Sequence, residues 1–257
     1  MLKSSVIGLA VALVLVGCAP AEVSGPASSA PEPQAATVTP APTPSAEEAA
    51  GCPNPHGGAC LGALEAGEHQ TRVFQPAITY TVPAGWTNYE DLPGNFWLFQ
   101  TDDLASQDSA VGGSYLGIYQ DAAAAALDCA EAPEQGVNRT PEALVAWYQS
   151  VPTLTVTPPV PVTVGGLEGL QIDLVLVDGA EADMCSYGPY AGVPLIIGSG
   201  VSQLHHVLLD ALEVRLVLLR RGEGNVTLEI TNVEEQHSSE EFRASLQPIL
   251  DSLVFAG

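Results

Sequence analysis

What the chain lacks first is positive charge. Seven Lys and Arg stand against thirty Asp and Glu in 257 residues, a formal net charge of −23. A surface this negative repels phosphate instead of releasing its counterions, so nucleic acid is excluded as a partner, and so is lying flat on anionic lipid. The acidity is read as a means of keeping the protein soluble rather than of storing cations. Catalytic and metal-binding spacings are lacking too. Gly198-Ser199-Gly200 misses the G-x-S-x-G spacing of a nucleophile turn and no base can be matched to it, so Ser199 reads as a loop residue. Asp173, Asp178, Glu181 and Asp183 crowd around Gly179 without the alternating positions of an EF-hand loop, which makes them an acidic turn. His205 and His206 are adjacent, diverge on a strand or a helix alike, and read as a surface or interface pair. No catalytic residue, cofactor or metal is expected from this set, and the chain is read as a non-enzyme.

A long membrane-spanning run is also missing at the start, where the apolar stretch Val6 to Val16 is too short and too weakly flanked to cross a bilayer. Lys3 precedes it and small residues follow it, the pattern of an export signal. The ending Leu15-Val16-Gly17-Cys18 resembles the bacterial lipobox. That resemblance implies a signal peptide over 1–17 and acylation of Cys18, palmitate included, as the mature N-terminus. One acyl chain holds marginally, at about 0.8 kcal/mol per buried methylene, whereas two or three on one cysteine anchor stably. The expected location is the cell membrane, lipid-anchored on the extracytoplasmic side.

From Ala19 to Ala50 the chain has no aromatic residue and seven prolines in thirty-two positions. Such a segment cannot offset an ordering cost on the order of 1–2 kcal/mol per residue, so 18–50 reads as a disordered tether carrying the lipidated Cys18. Fully extended, at about 3.1 Å per residue, it would reach on the order of 100 Å.

The remaining residues, 51–257, suffice for one domain with a Cys-bounded N-terminal loop over 51–69. Four cysteines follow Cys18: Cys52, Cys60, Cys129 and Cys185. In an exported chain an even number points to disulfides. Three pairings can be drawn, and Cys52 with Cys60 plus Cys129 with Cys185 is preferred, because Cys52 and Cys60 frame a Pro/Gly loop that needs pinning. Cys52, His56 and Cys60 also have a C-x3-H-x3-C spacing suited to zinc, but the oxidising compartment and the want of a fourth ligand favour the disulfide.

Arg72 to Phe74, Ile78 to Val82, Phe96 to Thr101 and Ser114 to Gln120 read as strands, with turns at Pro83-Ala84-Gly85 and Leu92-Pro93-Gly94. The alanine run after Asp121 could hold a short helix. A better helix starts at Thr140 as N-cap with Pro141 behind it, and buries Leu144, Trp147, Tyr148 and Val151. Leu154 to Val164 alternates but contains Pro158, Pro159 and Pro161, so it is an edge strand or an irregular arm. Gly165-Gly166 turns into a strand at Leu170 to Val177; Val193 to Ile197, Glu213 to Arg220 and Val226 to Thr231 follow, the last pair through Gly222-Glu223-Gly224-Asn225. Ser238 and Glu241 form a capping box for a helix burying Phe242, Leu246, Ile249 and Leu250, with Pro248 kinking or splitting it before a short strand near Val254. The class is α+β: a mostly antiparallel β-sheet flanked by helices.

Three ordered stretches carry a family resemblance. Tyr80-Thr81-Val82-Pro83-Ala84-Gly85-Trp86, Val162 to Gly169 and Leu246 to Phe255 resemble the opening strand and turn, the central hairpin and the closing helix and strand of PsbP/Mog1-like domains of exported bacterial proteins. The resemblance covers about residues 70 to 257 and implies an antiparallel sheet with flanking helices and an accessory, assembly or binding role. It supplies no functional residues. The aromatic set Trp86, Tyr89, Phe96, Trp97 and Phe99 reads mainly as core. The candidate binding patch is the loop from Thr87 to Asn95, with Tyr89, Asp91 and Asn95. The expected function is thus a membrane-anchored lipoprotein domain that binds an envelope protein or a small ligand. A solute or lipid carrier with an internal apolar cavity is the alternative, and an enzyme comes after it.

Overall fold

Strands that are apolar on both sides need cover on both faces, and the central strands of this protein have it. The computed structural model describes residues 62–103, 113–130, 132–179, 185–187, 190–198, 205–210, 212–233 and 236–257. The first strands are β1 (Gly62–Leu64), β2 (Gly67–Gln70), β3 (Ile78–Val82), β4 (Trp86–Leu92), β5 (Asn95–Gln100), β6 (Tyr115–Gln120) and β7 (Ala123–Ala124). Helix α1 (Pro141–Ser150) leads to β8 (Leu154–Val156), β9 (Val160–Val164), β10 (Leu167–Leu176), β11 (Cys185–Tyr187) and β12 (Tyr190–Ile197). Then come β13 (His205–Leu209), β14 (Leu212–Arg221), β15 (Gly224–Val233), helix α2 (Ser239–Ser252) and β16 (Val254–Phe255). Every strand pair among the described residues is antiparallel.

The main sheet runs β1-β4-β5-β6-β15-β14-β10-β8, with β9 also pairing β10. A second sheet joins β7, β11, β12 and β13, and a third joins β2, β3 and β16. One face of the main sheet, through Phe99, Tyr119, Leu216 and Leu218, packs on Leu144 and Tyr148 of α1 and on Leu195 and Leu208 of the second sheet. The other face, through Phe96, Leu98 and Leu228, packs on Phe242 and Leu246 of α2 and on Tyr80 of the third sheet. The main sheet is therefore the middle of three layers. That position explains why β5 and β15 are buried along nearly their whole length.

Local chemistry sets most of the boundaries. Thr140 caps α1 by accepting from the Ala143 N–H, with Pro141 in its first turn. Ser238 and Glu241 form the expected capping box of α2. Gly165 and Gly166 have φ of 58° and 81°, which a two-residue turn with both central residues left-handed requires, and they join β9 to β10. The proline-containing arm splits as expected at an edge: β8 and β9 both pair β10, and Pro158 and Pro159 fall in the gap between them.

Four expectations are corrected. Arg72 to Phe74 form no strand, because their N–H groups turn onto the Asp91 carboxylate instead of a neighbouring backbone. Thr87 to Leu92 belong to β4, so the expected loop is a hairpin that turns at Pro93-Gly94. The alanine run is extended, not helical: Ala123 and Ala124 pair with Ile197 and Ile196, and the Asn225 amide clamps both the N–H and the carbonyl of Ala122. Helix α2 passes Pro248 as one element, ending at Ser252.

Candidate functional site

Strand β15 alternates apolar and polar residues, the ordinary pattern of a half-exposed strand, yet the second sheet covers its polar side. Thr227, Glu229 and Thr231 are all buried. Register places them in rows across the sheet: Glu229 lies opposite Gly117, Gly117 opposite Trp97, and Trp97 opposite Glu90. Gly117 has a steric reason. A Cβ there would sit 2.1 Å from the Tyr119 hydroxyl oxygen, so only glycine lets the Tyr119 ring lie back along its own strand toward Glu229.

Glu229 is the centre of this row. Tyr119 donates to its Oε2 at 2.9 Å, and Thr231 donates to Oε1 at 3.2 Å. From the covering sheet, β13 brings the Nδ1 of His206 to 3.0 Å from the same Oε2. The side chains of His206 and Glu229 are 8% and 2% exposed, which makes this a buried contact between layers. The 3.0 Å separation puts His206 Nδ1 and the Glu229 oxygen within hydrogen-bond reach, with the donor set by the His206 tautomer. The hydroxyls of Tyr115 and Tyr119 lie 3.1 and 3.3 Å from that nitrogen. Trp97 packs edge-on to the imidazole with centroids 5.4 Å apart, and stacks on Tyr89 and Tyr115. Burial first, and then the Glu229 charge, pushes the Tyr115 and Tyr119 phenols well above their usual range, so both stay neutral donors.

The second part of the strip lies on the β4–β5 hairpin. Asn88 donates to the carbonyls of Glu90 and Trp97 at 2.9 and 3.0 Å, filling the irregularity in register between Asn88 and Glu90. Asn95 donates from Nδ2 to Glu90 Oε2. Glu90 and Asn95 are 0% and 1% exposed. Burial lifts the Glu90 carboxyl to about 7, and the Asn95 hydrogen bond draws it partly back.

The three residues of the candidate patch are therefore not on an open loop. Tyr89 and Asn95 are buried on β4 and β5 beside this strip. Asp91, also on β4, accepts the N–H groups of Arg72 and Phe74 at 2.6 and 2.7 Å and of Val73 at 3.2 Å, a structural task. The reading of His206 as a surface residue is corrected in the same way, because β13 carries it into the interlayer contact. Its neighbour His205 pairs in register with Ile197.

Comparison with known proteins adds two weak likenesses of fold. No family model matches the chain, and no curated protein matches it. The solution structure of cyanobacterial PsbP (CyanoP) from Synechocystis matches with 11% identity and a TM-score of 0.33, over 77% of this chain and 98% of that one. A crystal structure from Bacteroides thetaiotaomicron matches with 11% identity and a TM-score of 0.31, over 70% of this chain and 45% of that one. This chain thus spans less than half the length of the Bacteroides structure. The α+β assignment rests on the sheets and helices themselves.

Elsewhere, the expected Cys129–Cys185 disulfide is present and ties the segment after β7 to β11. Cys18, Cys52 and Cys60 lie outside the described residues, as do Ser199, Glu181 and Asp183. Asp173 is engaged by Arg215 through two bonds of 2.6 and 2.9 Å, with Arg243 3.8 Å away. Burial raises its carboxyl, but these two guanidinium groups outweigh burial and hold it below the usual range. Among the described residues no group of three His, Cys, Asp or Glu is placed to hold a metal ion. Glu90, Glu229 and Tyr119 were missed by sequence reasoning. The usable signal was the pair of polar alternations, Asn88-Glu90 and Thr227-Glu229-Thr231, next to the small residue of Tyr115-Leu116-Gly117-Ile118-Tyr119.

Proposed function

We propose that this chain is an extracytoplasmic lipoprotein, anchored through acylated Cys18 and held off the membrane by residues 19–50, whose PsbP/Mog1-like domain is a non-catalytic binding or accessory module. The observation that carries the reading is the run Leu15-Val16-Gly17-Cys18 at the end of an export signal, followed at once by a proline-rich segment without aromatics. The Cys129–Cys185 bond supports an oxidising compartment. The non-catalytic part draws on the interlayer strip, where the buried carboxyl groups of Glu229 and Glu90 are engaged by the protein's own Tyr119, Thr231 and Asn95. The partner class is an envelope protein or a small ligand.

Fractionation of cells producing the full chain tests the anchor. The wild-type protein is expected in the membrane fraction with the mass of its acyl groups, and Cys18→Ser is expected to lose that mass and to leave the membrane. A Cys18→Ser protein that stays in the membrane fraction with an unchanged mass would falsify the anchor. Crosslinking on intact cells, followed by solubilisation and capture, tests the module, and recovery of no protein or lipid above the level of an unrelated lipoprotein counts against it.

The carrier alternative calls for an internal apolar cavity, whereas the recess of about 370 Å³ between the β9 arm and α2 is open and places Thr163, Gln171, Arg215, Arg243, Gln247 and Asp251 among its apolar residues.

A further inference from the structure

Buried polar atoms almost always find a partner, and the β4–β5 hairpin holds several that lack a hydrogen bond: Asn88 Oδ1, Trp97 Nε1 and, facing one another's residues, oxygens of Glu90 and Asn95. Glu90 and Asn95 are fully enclosed, and the Asn95 Nδ2 donates to Glu90 Oε2. Glu90 Oε1 and Asn95 Oδ1 are both left without a hydrogen-bond partner. Both are acceptors if Glu90 is ionised, so neither can satisfy the other. A single proton on Glu90 Oε1 changes this, because a protonated carboxyl donates through one oxygen and accepts through the other. A carboxylic acid and a primary amide are complementary in both directions, and the proton supplies the missing donor for Asn95 Oδ1.

We propose that Glu90 is protonated in the folded protein and pairs with Asn95 as an acid with an amide, forming a proton-operated clasp between β4 and β5. The surrounding groups agree. On its own strand, the neighbouring Asp91 is committed to the N–H groups of Arg72, Val73 and Phe74. Across the sheet the titratable groups are Tyr119, whose phenol feels the Glu90 charge, then Tyr115 and Glu229. From the covering sheet comes His206, held against Glu229. No Lys or Arg among the described residues pairs with Glu90, so no positive charge offsets the cost of ionising it in place. Burial, which lifts this carboxyl to about 7, places the change near neutrality.

The sign follows from linkage. Below about pH 4.5 folded and unfolded chains both hold the proton; as pH rises toward about 7 the unfolded chain releases it first. The folded state therefore keeps its full advantage at low pH and loses it through that window, a change of about 300-fold in the folding equilibrium that is set by burial of the Glu90 charge. The device has a use if the domain faces the outside of the cell, which rests on the anchoring proposed above; its chemistry does not.

Carboxyl-labelled Glu in the full mature chain allows the Glu90 side chain to be titrated by NMR between pH 4 and 9, assigned by its absence in Glu90→Gln. The Glu90 carbon is expected to titrate near pH 7, with the Asn95 side-chain amide shifting at the same midpoint. Glu90→Gln keeps a donor and an acceptor in place but cannot titrate, so its urea midpoint should lose the wild-type fall between pH 4.5 and 7. A Glu90 midpoint in the ordinary range near 4.5, or an unchanged pH profile in Glu90→Gln, overturns the clasp. Should Glu90→Gln fail to fold, the Asn95 midpoint in the wild type decides alone. Neither outcome depends on membrane attachment, so failure of the clasp and failure of the anchor are separable.

Discussion

Asp91→Ala is expected to lower stability by about 3–4 kcal/mol and to free the segment from Arg72 to Phe74. The carboxylate is completely buried and serves as the only shown acceptor for three successive N–H groups of a segment that forms no strand. A charge-assisted bond to the buried Phe74 N–H contributes about 1.5–3 kcal/mol, and the two bonds nearer the surface add less because water can replace the carboxylate there. Phe74 itself is 0% exposed and belongs to the core beneath α2, so releasing its backbone also loosens apolar packing. Urea unfolding gives the loss, and amide exchange should show early deprotection confined to residues 72–74. Asp91→Asn retains one acceptor oxygen and should cost roughly half as much. Unchanged stability in Asp91→Ala would mean that the residue is not holding this segment, and would return it to consideration as a ligand contact.

That prediction also marks how far the sequence could be read. Elements with local chemistry at their ends were legible: Thr140 and Pro141 opening α1, Ser238 and Glu241 opening α2, Gly165-Gly166 between β9 and β10, and the compact apolar strand Ile78 to Val82. Each of these is decided within a few residues of chain. What was not legible depends on distant cover. Val226 to Ile230 looks like a strand with one wet face, and nothing local reveals that β13 and His206 lie over its polar side. Asn88, Glu90 and Asp91 look like loop residues because polar side chains are costly to bury, and the amide and N–H partners that offset the cost come from elsewhere in the chain. Ala122 to Ala125 have high helix propensity, but Asn225 and Leu195 take up their backbone groups. The reading of Thr87 to Asn95 as an exposed loop therefore misjudged the burial of this hairpin.

The interlayer strip makes the second large prediction, Gly117→Ala, which should cost about 2–4 kcal/mol although it adds a single methyl group. The new Cβ would lie 2.1 Å from the Tyr119 oxygen and 2.6 Å from its Cζ, far inside contact distance. The ring cannot tilt away cheaply. It is fully buried, and its hydroxyl is bonded to Glu229 and close to His206. Moving it strips a donor from a buried carboxyl group and disturbs the 3.0 Å contact between His206 on β13 and Glu229 on the main sheet, so the damage should be read at His206 as well as in stability. Tyr119→Phe separates the two components: it removes the hydroxyl alone, keeps the ring, and should cost about 1–2 kcal/mol. The overlap itself is tested by coupling. Gly117→Ala combined with Tyr119→Leu should be less damaging than the sum of the two single changes, by about 1–2 kcal/mol, because the shortened side chain makes room for the methyl group. Strict additivity of the pair would show that Gly117 is not kept small by Tyr119, and would remove the steric reason for a glycine at the centre of the strip.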